Sequence, residues 1–150
     1  MDTELDHHHY MALAYDQAVK SHQMGGCSIG AVLVNNNGDI LGVGHNRLVQ
    51  EGNPILHGEM AALRAAGRMK NRKDTTLYTT LSPCMMCTGT IIQFKIHKVV
   101  IGDSVNANDN EQLLMSKGVC VIRYPHQPCI ELVRQFRNEQ PELWYEDWGG

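Results

Sequence analysis

The sequence predicts an α/β protein with one mixed five-stranded sheet and helices on both faces. Three observations carry this reading. Apolar stripes with helical spacing alternate with short β-branched runs, in the order α-β-β-α-β-α-β-α-β-α. The first two strands flank Asn36-Asn37-Gly38-Asp39, a hairpin turn that makes them antiparallel. Every later strand is separated from the next by a helix, which implies parallel pairing through crossovers. At 150 residues the chain fits one domain, 1–150, with a sizeable core.

Asp6 to about Met24 reads as the first helix. Met11, Leu13, Ala14, Ala18 and Val19 form its apolar stripe, and Gly25-Gly26 ends it. Ser28 to Asn35 is a compact apolar run, hence a buried strand, and Ile40 to Asn46 returns beside it. Arg47 to Ile55, with Gly52 and Pro54, reads as a loop. His57 to about Met69 is rich in helix formers. Thr75 to Thr80 is a strand by β-propensity. Cys84 to Phe94 is a helix entered through Pro83. Lys98 to Gly102 is a short buried strand, and 105–110 is a polar loop. Glu111 to Lys117 is a short helix stopped by Gly118, and Val119 to Tyr124 is the last strand. Pro128 to Asn138 is a helix, and Pro141 starts one more turn through Trp144.

Composition narrows the partners. Hydrophobic content is 43%, charged content is 19% and the formal net charge is −3. A protein that grips a long polyanion shows a basic face. The densest basic spot, Lys70, Arg72 and Lys73, reads as a solvated turn after a helix. A small uncharged substrate is favoured, with no nucleic acid. No apolar stretch is long enough to span a bilayer. The opening Met1-Asp2-Thr3-Glu4 lacks the basic start and apolar run of a signal peptide. Five cysteines, an odd number, favour free thiols or metal binding over disulfides, which points to the cytoplasm. Cys27, Cys120 and Cys129 read as small core residues. His7-His8-His9 reads as a solvated helix start, because helical spacing fans the three rings apart.

The chemistry sits in two short clusters, Leu56-His57-Gly58-Glu59 and Ser82-Pro83-Cys84-Met85-Met86-Cys87. An H-x-E triplet alone is weak, and a C-x-x-C alone is as much a redox pair or half a structural zinc site. Together they match the zinc deaminase signature H-x-E…P-C-x-x-C. His57, Cys84 and Cys87 then supply the three protein ligands of a catalytic zinc, which keeps its fourth position for water. Glu59, two residues from a ligand, is placed to move protons as general acid and base. Both thiols fall near a helix N-terminus, where the dipole favours the thiolates that zinc needs.

With those residues in place, the chain resembles the fungal-type cytosine deaminases of the cytidine deaminase superfamily, nearly from end to end. Gly25-Gly26, Ile29-Gly30 and Gly44-His45-Asn46 look like that family's first strand and the strand end presenting a substrate-binding Asn. Asp74-Thr75-Thr76-Leu77-Tyr78-Thr79-Thr80-Leu81-Ser82-Pro83-Cys84 with Cys87-Thr88-Gly89 is the most specific stretch. Trp144-Tyr145-Glu146-Asp147 is similar to the family's terminal Trp-Phe-Glu-Asp. The resemblance implies a three-layer α/β/α fold, a homodimer, one zinc per subunit, and hydrolysis of cytosine to uracil and ammonia in pyrimidine salvage. It also implies roles. Asn46 and the Gly58 N–H bind the ring edge, Asp147 and the Ser82 carbonyl face the exocyclic amine, Trp144 packs over the ring, and Ile29 and Ala107 line the pocket. Two positions depart from the family. Ala107 stands where it carries an aromatic over the substrate, and Trp148 where it has an aliphatic residue. The first change opens the pocket wall, and the second refills it.

Isocytosine, a substituted cytosine and guanine are the alternative substrates. A tRNA adenosine deaminase would use the same zinc site but needs a basic approach surface. A structural zinc module needs a fourth protein ligand, for which His45 and Cys27 are the candidates. A thioredoxin-like pair explains Cys84 and Cys87 but gives His57 and Glu59 no task.

Overall fold

Asp6 starts the first helix. Its carboxylate accepts the His9 backbone N–H at 3.1 Å, the N-cap bond that satisfies an otherwise orphan donor. Helix α1 follows as His7–Gln23. The computed structural model describes residues 5–148. Met1–Glu4, the residues behind the signal-peptide reading, lie outside the described residues.

The remaining elements are β1 (Gly30–Asn35), β2 (Ile40–His45), α2 (Leu48–Glu51), α3 (Gly58–Ala66), β3 (Thr75–Thr79) and α4 (Met85–Gln93). They are followed by β4 (Lys98–Ile101), α5 (Glu111–Ser116), β5 (Cys120–Arg123), α6 (Gln127–Glu139) and α7 (Pro141–Trp148). The sheet order is β2-β1-β3-β4-β5. β1 pairs antiparallel with both β2 and β3, whereas β3–β4 and β4–β5 are parallel. This is the expected five-stranded mixed sheet.

Strand alternation sorts the core onto two faces. Ala31 and Leu33 of β1, Leu77 of β3 and Val99 of β4 pack with Ala62 of α3 and Ile91 of α4. Val32, Val34, Tyr78 and Val100, one residue on, pack with Tyr10, Met11 and Ala14 of α1 and with Cys129 of α6. Helices therefore cover both faces, giving three layers. A third cluster (Cys27, Ile29, Leu48, Leu81, Val133 and Phe136) lies against Ala107, Leu143, Trp144 and Trp148. Gly42 and Gly44 fix the spacing between β2 and α3, since a Cβ at either would collide with the backbone of Ala61, Ala62 or Ala66.

Three expectations need correction. The stretch expected as a loop holds the one-turn helix α2, closed by Gly52 in the left-handed conformation at φ 61°. Four residues are too few to show a period. The last helix runs on through Trp148 instead of stopping at Trp144, because Asp147 and the tryptophans find partners in the core. Cys120 is exposed on the edge strand β5, whereas Cys27 and Cys129 are buried. The histidine triplet fans out as expected. His7 lies 2.7 Å from the Tyr78 hydroxyl, and the His8 and His9 rings neighbour His126 and Tyr10. Lys70, Arg72 and Lys73 lie in the turn after α3. Among the described residues no helix is long and apolar enough to cross a membrane.

Candidate active site

Two helix starts build the site. His57 is the N-cap of α3 and Cys84 the N-cap of α4. His57 Nδ1 lies 3.3 Å from Cys84 Sγ. The Cys87 backbone N–H, one turn into α4, donates to the Cys84 sulfur at 3.5 Å. The donor atoms of His57, Cys84 and Cys87 all lie within 4.8 Å of one another. Around a tetrahedral zinc with Zn–S of about 2.3 Å and Zn–N of about 2.0 Å, neighbouring donors lie about 3.5–3.8 Å apart. The three side chains fit that ion with little adjustment. No fourth His, Cys, Asp or Glu joins the group among the described residues. Cys27 is packed in the third core cluster, and His45 Nδ1 is 3.0 Å from the Asn46 carbonyl. The closed four-ligand arrangement of a structural zinc is therefore not formed, and one position is left open.

The electrostatics suit the same ion. The Cys87 hydrogen bond, and after it the bond and charge of His57, bring the Cys84 thiol down to about 4 against the opposing effect of burial. Cys87 is pushed well above the usual thiol range by its bond to Cys84 and by burial. Burial alone would lower His57, but its bonds to Asp147 and Cys84 outweigh that and raise it to about 10. These directions favour an imidazolium at His57 and a thiolate at Cys84 beside a Cys87 thiol before metal binds. Glu59 is only 4% exposed, and burial followed by the Cys84 charge raises its carboxyl to about 7.

Asp147 reaches this centre from α7, and its side chain has no exposed surface. His57 Nε2–H donates to Asp147 Oδ1 at 3.1 Å, which fixes the ring and leaves Nδ1 for the metal. Asn46 Nδ2 donates to both Asp147 oxygens at 3.2 Å, and Asn46 Oδ1 accepts the Leu48 N–H at 2.9 Å. Gly58 sits against the start of β1, with room for a Cβ only 3.1 Å from the Ile29 carbonyl oxygen. Ser82 is buried, and its hydroxyl donates to Glu111 Oε2 at 2.6 Å. Trp144 stacks on Trp148 with centroids 5.2 Å apart and meets Phe136 edge-on. Ile29, Ala107, Trp144 and Trp148 share the third cluster, so the opened position and the added tryptophan do lie together.

Two buried groups were not anticipated. Glu111 is 1% exposed and accepts from Ser82, Ser104 and Arg123, at 2.6, 2.7 and 2.6 Å. Asp103 accepts the Val105 and Asn106 N–H groups and fixes the loop that carries Ala107. The Asp-Ser-Val-Asn spelling carries a turn signal for Asp103. Glu111 has none, since an acidic residue opening a helix reads as solvated.

The model for the cytidine and deoxycytidylate deaminase zinc-binding region matches residues 5–103. The chain belongs to that family. It is accordingly a zinc-dependent hydrolytic deaminase. It is 47% identical over 141 residues to cytosine deaminase of Candida albicans, covering 93% of this chain and 94% of the relative. It is 38% identical over 97 residues to the tRNA-specific adenosine deaminase of Haemophilus influenzae, covering 63% of this chain and 56% of that one. The structure of guanine deaminase from Nitrosomonas europaea superposes with a TM-score of 0.77 at 17% identity, over 92% of this chain and 87% of the other, a likeness of fold.

Proposed function

We propose that this family member hydrolyses free cytosine to uracil and ammonia. The observation that carries the reading is the open three-donor cluster of His57, Cys84 and Cys87 with a buried Glu59 beside it. The similarity to the Candida albicans enzyme over nearly the whole chain supports cytosine as the base.

His57 Nδ1 and the two sulfurs would hold the zinc, which when bound would supply an activated water at neutral pH. Glu59 is the group that would take a proton from the attacking water and deliver it first to the ring nitrogen and then to the leaving amine. Burial raises the Glu59 carboxyl above the usual range, which favours a group that both takes and gives a proton. Asp147, which accepts from both His57 and Asn46, also accepts from the exocyclic amine. Asn46 and the Gly58 N–H hold the ring edge. The Ser82 carbonyl faces the amine, and Ile29, Ala107 and Trp144 enclose the ring. We place the chain as a single domain acting as a homodimer in the cytoplasm in pyrimidine salvage, with no nucleic-acid partner. None of the five cysteines is in a disulfide, which fits a reducing compartment.

Ammonia release from zinc-loaded protein tests the reading, with cytosine, isocytosine, guanine, adenine and cytidine as the panel and Glu59→Gln as the blank. Turnover of cytosine above the other bases is expected. Turnover of a different base with cytosine inert would keep the chemistry and overturn the substrate.

A further inference from the structure

The loop after β4 and the terminal helices enclose a cavity of about 290 Å³, lined by Asn106, Ala107, Asp109, Arg137, Trp144 and Trp148 among others. Its lining is linked to the deaminating centre by two neighbours in sequence. Asp147 bonds His57, and Trp148 packs with Ala107 on the Ile29 and Leu81 cluster. A second hollow of about 320 Å³ shares Asn106, Arg137 and Trp144 with it, so Arg137 borders both.

Arg137 is unlike the arginines near it. Arg123 is paired with Glu111 at 2.6 Å, and Arg134 with Glu131 at 2.6 Å. Arg137 has no carboxylate within ion-pair distance among the described residues. Its hydrogen bonds are long, 3.4 Å to the Asn106 carbonyl and 3.3 Å to Asn106 Oδ1. Its guanidinium is nonetheless held in place, 4.7 Å from the centre of the Trp144 ring. Arg137 is exposed and Asp109 shares the lining, yet no carboxylate comes within ion-pair distance of it among the described residues, and a planar fork of donors oriented by an aromatic face can bind a carboxylate with two parallel hydrogen bonds. Ala107 supplies the room, because any larger side chain there would occupy the space between loop and helix.

We propose that this cavity is a subsite for an anionic substituent on the ring, so that the enzyme favours an aminopyrimidine base bearing a carboxylate, with Arg137 as the residue that selects it. The proposal rests on the nucleobase reading above and names the substrate class within it.

Trp144 and Trp148 are the two tryptophans of the chain, so binding reports itself by fluorescence independently of turnover. Zinc-loaded protein is titrated with 5-carboxycytosine and 6-carboxycytosine, each against its methylated counterpart, and kcat and KM are measured for the same four bases and cytosine. One carboxylated base is expected to bind at least tenfold more tightly than its methylated partner, with the gain in KM. Arg137→Gln should lower that ratio at least tenfold, and Ala107→Phe, which fills the cavity, should abolish it. Equal binding of carboxylated and methylated bases overturns the subsite. So does a ratio unchanged in Arg137→Gln. Deamination of cytosine alongside either result leaves the deaminase reading intact, whereas binding without ammonia release from any base removes that reading and keeps the subsite.

Discussion

The metal half of the site and its substrate half are built in opposite ways. His57 and Glu59 lie in the first turn of α3, and Cys84 and Cys87 in the first turn of α4, with side chains aimed by the helix starts themselves. Asn46, Asp147, Ala107 and Trp148 come from a strand end, a terminal helix and a loop, and they meet only through tertiary contacts, as in the Asn46–Asp147 bond across 101 positions. Local geometry fixes what chemistry is done. Long-range packing shapes the side proposed to receive the substrate. Asp147 is the joint between the two, since one carboxylate holds both the metal ligand and the substrate-side Asn.

The largest effect expected of this division is at Glu59. Glu59→Gln should lower kcat by about 10²–10⁴-fold, the range of a lost general acid and base, while bound zinc by metal analysis stays stoichiometric. Retained turnover would remove Glu59 from the mechanism.

Zinc loading should be steep in pH. Before metal binds, His57 is raised to about 10 and the Cys87 thiol is pushed well above the usual thiol range, both favouring the protonated form, while Cys84 at about 4 favours the thiolate. Binding must displace about two protons, so affinity should rise about a hundredfold per pH unit between about 5 and 9. Competition with a chromophoric chelator measures the slope. A tenfold slope would mean that one of the two groups is already deprotonated.

Asp147→Asn sharpens the comparison at its joint. A neutral amide supports the His57 imidazole less well, and zinc affinity should fall about 10–100-fold, as for other partners that orient a metal-bound histidine. Unchanged affinity with a raised KM would assign Asp147 to the substrate alone. The smallest effect expected is at Glu111, whose carboxylate joins the two loops without touching the metal group. Glu111→Gln should cost about 1–2 kcal/mol in urea unfolding and leave zinc content unchanged.

The same division explains what could be read in the chain. The hairpin turn, the alternating runs and both motif clusters are local patterns, and they placed all five strands and the metal group. Asp147 alone reads as a solvated terminal acid, and only the resemblance gave it a role. Its burial depends on α7 continuing to Trp148, which the tryptophan stacking and the contacts with the third cluster bring about. Glu111 was invisible for a related reason. Its three partners, Ser82, Ser104 and Arg123, come from three separate segments. Cys120 read as core because cysteines usually are, but β5 is the sheet's edge.

The glycines of β2 also bear on how this molecule can evolve. Gly42 and Gly44 press α3 against the sheet so closely that neither position admits a side chain. Lineages exploring new bases can therefore vary little on that flank without displacing His57 and Glu59. On the reading proposed above, the freedom lies in the loop bearing Ala107 and along α6 and α7, where exchanges would change which molecules are admitted while the reaction stays the same. Divergence in such a protein is expected to be lopsided, with one side of the cleft a constant and the other a palette.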